Sequence, residues 1–224
     1  MPDLNFRVIG VEAASQGVLP LLRFRLEIEN PAKDEIIQSV MLQAQVQLQC
    51  PQRAYGPAEK ANLVELFGKP ENWGQTLRNR LWTHTSTVVG SFCGRTETML
   101  PVPCSFDLNL AATKYLYALQ DGEVSLLFLF AGTAFYSGPA GRLQVQMIPR
   151  DKECTWRMPI SVWREMMDHH WPNSAWLMVH RDLFDRLVSF KRSRGLVSWD
   201  DALAHLLDAV GGEAIAETSR DLAV

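Results

Sequence analysis

Apolar and polar residues alternate along most of the first two-thirds of the chain, the pattern of strands with one buried face. Between residues 22 and 28, apolar residues alternate with charged ones. After the break at Asn30-Pro31, a second alternation over 39–50 sets apolar residues against a row of glutamines. The two runs predict an antiparallel hairpin with one wet face. The uncharged, glutamine-rich face is typical of a solvated strand, and it is also compatible with a pairing or docking surface.

Further strands follow from the same alternation and from turn signals rich in Gly and Pro. They are predicted over 6–11, 82–89, 95–100, 104–110, 123–136 and 143–148. Helical spacing interrupts them between 57 and 78, and residues 111–119 fit a helix or a strand equally. About eight strands at this spacing predict an antiparallel β-sandwich with a helical insertion at 57–78, a mainly β fold with α-helices.

Helical spacing replaces the alternation near residue 158. Pro159 begins a helix over 160–169, and a second helix is predicted over 181–194. Ser198 and Asp201 have the spacing of a capping box for a third helix, which Gly211 is expected to close. We therefore predict a β-sandwich over 1–157, a C-terminal helical region over 158–211 packed on it, and a flexible tail over 212–224.

Composition and charge exclude several classes of protein. The chain has 22 Lys and Arg against 25 Asp and Glu, a formal net charge of −3 that does not fit a strongly basic nucleic-acid binder. The first residues lack the basic start and apolar stretch of a secretion signal. The most apolar window, 124–135, is shorter than the about 20 residues of a membrane-spanning helix. We expect a cytoplasmic protein with no membrane span and no nucleic-acid partner.

Motifs that carry catalytic or cofactor chemistry do not occur in the sequence. There is no phosphate-binding glycine motif and no HExxH. The four cysteines lack the close pairs of a zinc site and are predicted to be reduced thiols; they are Cys50, Cys93, Cys104 and Cys154. We therefore predict no cofactor and no catalytic residue, and we expect the protein not to be an enzyme.

Four residues are the weak candidates for binding a metal. Glu165 and His169 lie one helical turn apart and can share a face, but a di-iron bundle needs Glu-x-x-His twice. His84 lies in a predicted strand, where a lone histidine is more often structural than catalytic. Cys104 could pair with it as thiol and imidazole, although nothing in the sequence brings the two together.

Tryptophan is unusually frequent, with seven in the chain and five after residue 150. These side chains either attach the helices to the sandwich or mark a partner surface, since buried and interface Trp both contribute large apolar areas. The candidates for partner contact are Trp163, Trp171, Trp176 and Trp199.

Several short motifs together resemble an uncharacterised bacterial family. They are Leu66-Phe67-Gly68 with Trp73-Gly74, Leu81-Trp82-Thr83-His84, Leu100-Pro101-Val102-Pro103-Cys104, Lys114-Tyr115-Leu116, Leu119-Gln120-Asp121-Gly122-Glu123-Val124, Pro159-Ile160-Ser161-Val162-Trp163 and Trp199-Asp200-Asp201-Ala202. Genes of this family typically lie beside those of actinobacterial-type nickel–iron hydrogenases and their maturation factors. The resemblance implies an accessory or assembly role around that hydrogenase, and it implies no site residue.

Three functions fit these observations. The first is a non-enzymatic adaptor that docks on a hydrogenase subunit or maturation factor and exposes an apolar patch. The second is a metal- or thiol-handling maturation factor, for which the candidate ligands must converge. The third is a ligand-binding sandwich with a cavity lined by Trp and Tyr. Self-association of the chain is compatible with each of them.

Overall fold

The computed structural model describes residues 2–14, 17, 19–105, 110–138, 141–174 and 177–221, the stretch 211–221 by its backbone. These residues form nine strands in two antiparallel sheets together with seven helices. The predicted fold class, mainly β with α-helices in a sandwich, is confirmed.

The elements have the following bounds. The strands are β1 (Asn5–Ala13), β2 (Leu21–Glu29), β3 (Ile36–Leu48), β4 (Arg80–Val89), β5 (Phe92–Cys93), β6 (Arg95–Pro103), β7 (Glu123–Ser137), β8 (Leu143–Met147) and β9 (Glu153–Pro159). The helices are α1 (Pro57–Asn62), α2 (Val64–Phe67), α3 (Trp73–Thr76), α4 (Leu110–Ala118), α5 (Ile160–His170), α6 (Arg181–Ser193) and α7 (Trp199–Asp221), with short 3-10 helices at Cys50–Gln52 and Pro70–Asn72.

The strands divide between a small and a large sheet. The small sheet has the order β1-β2-β6, and the large sheet has the order β4-β3-β7-β8, with β5 also paired to β3 and β9 to β7. The predicted hairpin of 22–28 with 39–50 is therefore wrong, since β2 and β3 lie in different sheets. Two consecutive strands with one apolar face each can bury these faces by pairing side by side or by stacking face to face, and alternation alone does not distinguish the two.

Aromatic side chains fill the space between the sheets. Phe6 on β1 stacks on Phe130 on β7, with ring centroids 4.6 Å apart. Phe24 on β2 meets three rings of the large sheet edge-on, those of Trp82, Phe128 and Trp156. These contacts locate the core of the sandwich between the two inner faces.

The predicted helical insertion is present as α1, α2 and α3, and it packs against α4. The ring of Phe67 contacts those of Trp73 and Tyr115, and the hydroxyl groups of Tyr55 and Tyr115 are 2.8 Å apart. The strand predicted over 104–110 is wrong at every described residue, since β6 ends at Pro103 and Leu110 begins α4; residues 106–109 lie outside the described part of the chain. β6 instead continues through Pro101 and Pro103, which is possible because it is an edge strand of the small sheet.

The chain forms two compact units, Met1–Ser174 and Ala175–Val224. In the first unit, α5 contacts β1 and β2, and Trp163 packs edge-on against Tyr117. The second unit contains α6 and α7, which contact one another. Phe184 packs on Trp199 with ring centroids 5.3 Å apart.

The predicted capping box of the last helix is confirmed. The Asp201 amide donates to the Ser198 hydroxyl at 3.0 Å, and the Ser198 amide donates to the Asp201 carboxylate at 3.2 Å. The predicted end of this helix at Gly211 is wrong, since α7 continues to Asp221. A glycine inside a helix costs about 1 kcal/mol relative to alanine, which is too little to end a helix by itself.

Candidate interaction surface

The outer face of the large sheet, which points away from the small sheet, carries a row of exposed apolar side chains. Met41 on β3 lies opposite Val88 on β4 and opposite Thr133 on β7, and Thr133 lies opposite Met147 on β8. Directly opposed residues on neighbouring strands point to the same face, so these four side chains form one continuous row. We call this set, Val88, Met41, Thr133 and Met147, the outer row.

The apolar members of the outer row are widely exposed. The exposed fractions are 69% for Val88, 56% for Met41 and 77% for Met147. Leu143 and Val145 extend the apolar surface along β8 and are exposed to 64% and 59%. Single exposed apolar side chains are ordinary, but a contiguous group on a flat sheet face is characteristic of an interaction site.

The strand β8 has the reverse polarity of the other strands in this sheet. Its apolar residues at 143, 145 and 147 are exposed, while Gln144 and Gln146 are half-buried on the opposite face. In β3 most apolar residues are buried and Gln43 is exposed, the usual arrangement, with Ile36 and Met41 as the exposed apolar exceptions. The same alternation thus gives an apolar outer face on β8 and a mostly polar one on β3.

A shallow depression of about 520 Å³ lies on the same sheet beside the outer row. Its lining includes Gln43, Gln45, His84, Ser86 and Arg150. Gln45 is paired with His84 and Gln43 with Ser86 across β3 and β4, so the glutamine-rich face predicted for 39–50 contributes to this surface. Its lining contains neither Trp nor Tyr, the residues expected of a ligand-binding sandwich, whereas two other depressions include one each, Trp73 and Tyr136.

The structure separates His84 from Cys104. His84 is exposed on the outer face of β4, whereas Cys104 is buried just beyond β6, where its thiol donates to the Val102 carbonyl at 3.3 Å. Burial raises the pKa of Cys104 to about 12. A thiol in this state stays protonated at neutral pH and is a poor nucleophile and metal ligand.

Glu165 and His169 lie one turn apart on α5 and are both exposed. The ring of His169 contacts that of His170, whose Nδ1 is 2.9 Å from the Met166 carbonyl oxygen. Within the part of the chain that the structure describes, no group of three or more His, Cys, Asp or Glu side chains lies close enough together to hold a metal ion.

The predicted partner-contact tryptophans lie in different environments. Trp163 is 1% exposed and Trp171 packs partly buried against the core, which fits the attachment of α5 to the sheets. Trp199 is 39% exposed, and the Lys191 ammonium lies 5.5 Å from the centre of its ring. Trp176 lies outside the described residues.

The outer row was not predicted from the sequence. Its apolar members come from three different strands, and only the pairing of β8 with β7, β7 with β3 and β3 with β4 places them in one line. The local pattern pointed the other way: apolar residues alternate with glutamines over 143–147, which predicts a buried apolar face, whereas the structure exposes that face.

The fold and this surface define a two-sheet β protein with a helical insertion and a separate helical unit. The chain belongs to a family of unknown function, DUF6084, whose model matches residues 1–215. An uncharacterised domain family is what the resemblance in the sequence implied. A search of curated proteins finds no match.

Two solved structures show weak similarity to the chain. One is the solution structure of a putative late embryogenesis abundant protein, with 13% identity over 71% of each chain and a TM-score of 0.29. The other is the crystal structure of a β-glucosidase from Kluyveromyces marxianus in complex with glucose, with 10% identity and a TM-score of 0.24. This second match covers 70% of the present chain and 15% of the glucosidase.

Among the described residues, no helix combines the length and the hydropathy needed to cross a membrane.

Proposed function

We propose that this protein is a non-enzymatic accessory protein that docks on a subunit or maturation factor of a nickel–iron hydrogenase. The observation that carries the docking role is the outer row, with its three apolar side chains more than half exposed. Burying such a row removes apolar area from water, a hydrophobic term of about 25 cal/mol for each Å² that works against the entropic cost of association.

The choice of partner is supported by the resemblance of the sequence motifs to a family encoded beside hydrogenase genes. The docking surface itself is supported by its chemistry. The outer row has no charged member, and the neighbouring positions Gln43 and Gln45 can hydrogen-bond to a partner without the cost of burying an ion. Such a surface suits an apolar protein face with a polar rim.

A metal- or thiol-handling role has less support. Cys104 and Cys50 are buried, and their pKa values are raised by burial to about 12 and about 11. His84 and Glu165 are exposed on different elements of the first unit. The candidate ligands therefore do not meet the requirement of converging at one point.

The test is co-purification from a host that expresses the complete hydrogenase operon. Wild-type protein is compared with Met41→Lys, which places a charge at the centre of the outer row. The matched control is Met99→Lys on β6 of the small sheet, a methionine that is 37% exposed on a strand. Circular dichroism and thermal denaturation establish that all three proteins are folded.

We expect wild-type protein and M99K to capture a hydrogenase subunit or maturation factor, and M41K to capture at least about tenfold less. Equal capture by M41K and wild type would refute the outer row as the docking surface. Wild-type protein that captures no hydrogenase-related protein would refute the proposed partner.

A further inference from the structure

The strand β8 has an open edge. β7 pairs with one side of β8, and no strand in the described part of the chain pairs with the other side. The remaining edges of the large sheet meet the small sheet: the Thr85 hydroxyl on β4 donates to the Pro101 carbonyl on β6, and Lys152 before β9 donates to the Asn5 side chain on β1 at 3.0 Å. The edge of β8 is thus available to another strand.

The backbone groups at this edge can be assigned from the hydrogen bonds that flank it. Gly138 N donates to Arg142 O, and Ile148 N donates to Gly132 O. In an antiparallel pair, residues that bond to the partner alternate with residues that point away from it. The even-numbered residues of β8 therefore bond to β7, and Leu143, Val145 and Met147 direct their N–H and C=O groups to the open edge.

Features that normally protect an edge strand are missing here. Lysine, proline, a bulge or an inward-pointing charge usually prevents such strands from pairing with another chain. β8 reads Leu-Gln-Val-Gln-Met, has no charge and no proline, and pairs with β7 without a register shift. The residues whose N–H and C=O groups face the open edge, Leu143, Val145 and Met147, are also those with exposed apolar side chains.

We propose that β8 pairs with β8 of a second copy of this chain, antiparallel about a two-fold axis at Val145. In this register Val145 faces its own counterpart and Leu143 faces Met147. Three residue pairs, each exchanging two hydrogen bonds, join the strands. A two-fold interface needs a surface that is complementary to itself. This segment meets that condition, because each apolar residue lies opposite an apolar residue and Gln144 lies opposite Gln146.

The charges near the strand are compatible with the same register. Arg142 precedes β8, and the two-fold axis places it opposite Ile148 of the second copy rather than opposite another arginine. A net charge of −3 per chain adds little repulsion. A foreign strand could use the same hydrogen bonds, but the apolar match at both ends favours a second copy.

The interface is small, which sets its strength. Five residues on each side bury less than the about 1,200 Å² of a standard stable interface. We expect a reversible dimer with a dissociation constant between micromolar and millimolar. In this dimer the two large sheets become one, and the two outer rows join across the axis. The inference goes beyond the proposed function and does not depend on the hydrogenase partner.

Sedimentation velocity over a range of chain concentrations is the first test. We expect wild-type protein and Val88→Lys to dimerise equally, because Val88 lies in the outer row but far from the open edge. Val145→Lys places two like charges at the axis and should weaken the dimer at least about tenfold. A wild-type monomer at all concentrations, or equal dimerisation of V145K, would overturn the proposal.

Cross-linking tests the register, in a Cys93→Ser background that removes the exposed native thiol. In a dimer of Val145→Cys chains, the Cα atoms of the two introduced cysteines would be about 5.5 Å apart, which is within the range of a disulfide. In two Leu143→Cys chains the Cα atoms would be about 14 Å apart. We expect V145C alone, and L143C mixed with Met147→Cys, to form covalent dimers under mild oxidation or with a short bis-maleimide. Efficient self-cross-linking of L143C, or none with V145C, would contradict this register.

Discussion

Arg53 and Glu59 form an ion pair that connects the helical insertion to the start of β7. The Arg53 Nη2 atom lies 2.6 Å from Glu59 Oε1, and the side chains are only 11% and 5% exposed. Arg53 also donates to the carbonyls of Asp121 and Glu123, and Glu59 accepts from the Gln120 and Gly56 amides. Both ions are thus hydrogen-bonded on several sides, the condition under which a buried pair is tolerated.

Replacing one member of this pair should destabilise the protein. Glu59→Gln leaves the Arg53 guanidinium buried without its counter-ion, and we expect a loss of about 3 kcal/mol in the free energy of unfolding. Urea denaturation followed by tryptophan fluorescence measures it. The control is Glu65→Gln, which removes the exposed Lys114–Glu65 pair and should cost less than about 1 kcal/mol. Similar losses of unfolding free energy for the two variants would contradict a stabilising role for the buried Arg53–Glu59 pair.

The same carboxylate makes stability depend on acid pH. Burial opposes ionisation of Glu59, but the Gln120 and Gly56 amides and Arg53 outweigh it and hold its pKa below the ordinary 4.5. A carboxylate with a lowered native pKa contributes stability above about pH 4.5, and this contribution is lost as the pH falls through the native pKa. We expect the gap in unfolding free energy between wild type and E59Q to narrow below about pH 4.5. A difference in unfolding free energy between wild type and E59Q that stays constant with pH would refute the lowered pKa of Glu59.

Thiol reactivity should differ sharply among the cysteines. Cys93 is exposed, whereas burial raises the pKa of Cys50 to about 11 and that of Cys104 to about 12. With a disulfide reagent at neutral pH, we expect Cys93 to react first and Cys50 and Cys104 only on unfolding. Cys93→Ser should remove the fast phase. A fast phase that survives in this variant would show that a buried thiol is accessible.

Gly132 occupies a position in β7 that only glycine fits. Its φ is +141°, and a Cβ atom there would lie 2.0 Å from the Met41 carbonyl oxygen. We expect Gly132→Ala to lower the unfolding free energy by about 3 kcal/mol or more. Gly74→Ala in α3 is the control, since its Cβ meets no atom within 4 Å and alanine favours the helix. Equal melting temperatures for the two variants would contradict this.

Local pattern was sufficient for most of the elements. The alternation over 22–28 predicts β2, which spans Leu21–Glu29, and helical spacing over 181–194 predicts α6. β9 lies outside the predicted strands, although Cys154, Trp156 and Met158 alternate with polar residues. The predicted sandwich over 1–157 nevertheless includes most of this segment, and the ring of Trp156 meets that of Phe24 in the sandwich core.

Pairing between distant strands could not be predicted. Residues of β2 pair with β6, and residues of β3 pair with β7, although several other strands and helices lie between them in the sequence. The outer row exists only because of these pairings, so Met41 or Val88 taken singly has the sequence signature of an ordinary surface residue. The environment of the Arg53–Glu59 pair could not be predicted either, since three of its other hydrogen-bond partners, Gln120, Asp121 and Glu123, lie more than 60 positions further along the chain.

The central position of β3 has a consequence for synthesis. β3 is made early, but its two neighbours, β4 and β7, follow later in the chain, with β7 ending at Ser137. Until that residue leaves the ribosome, the nascent β3 has one long edge without a partner. Chains truncated before β7 should therefore bind chaperones or aggregate, and the sheet is completed only after most of the first unit has been translated.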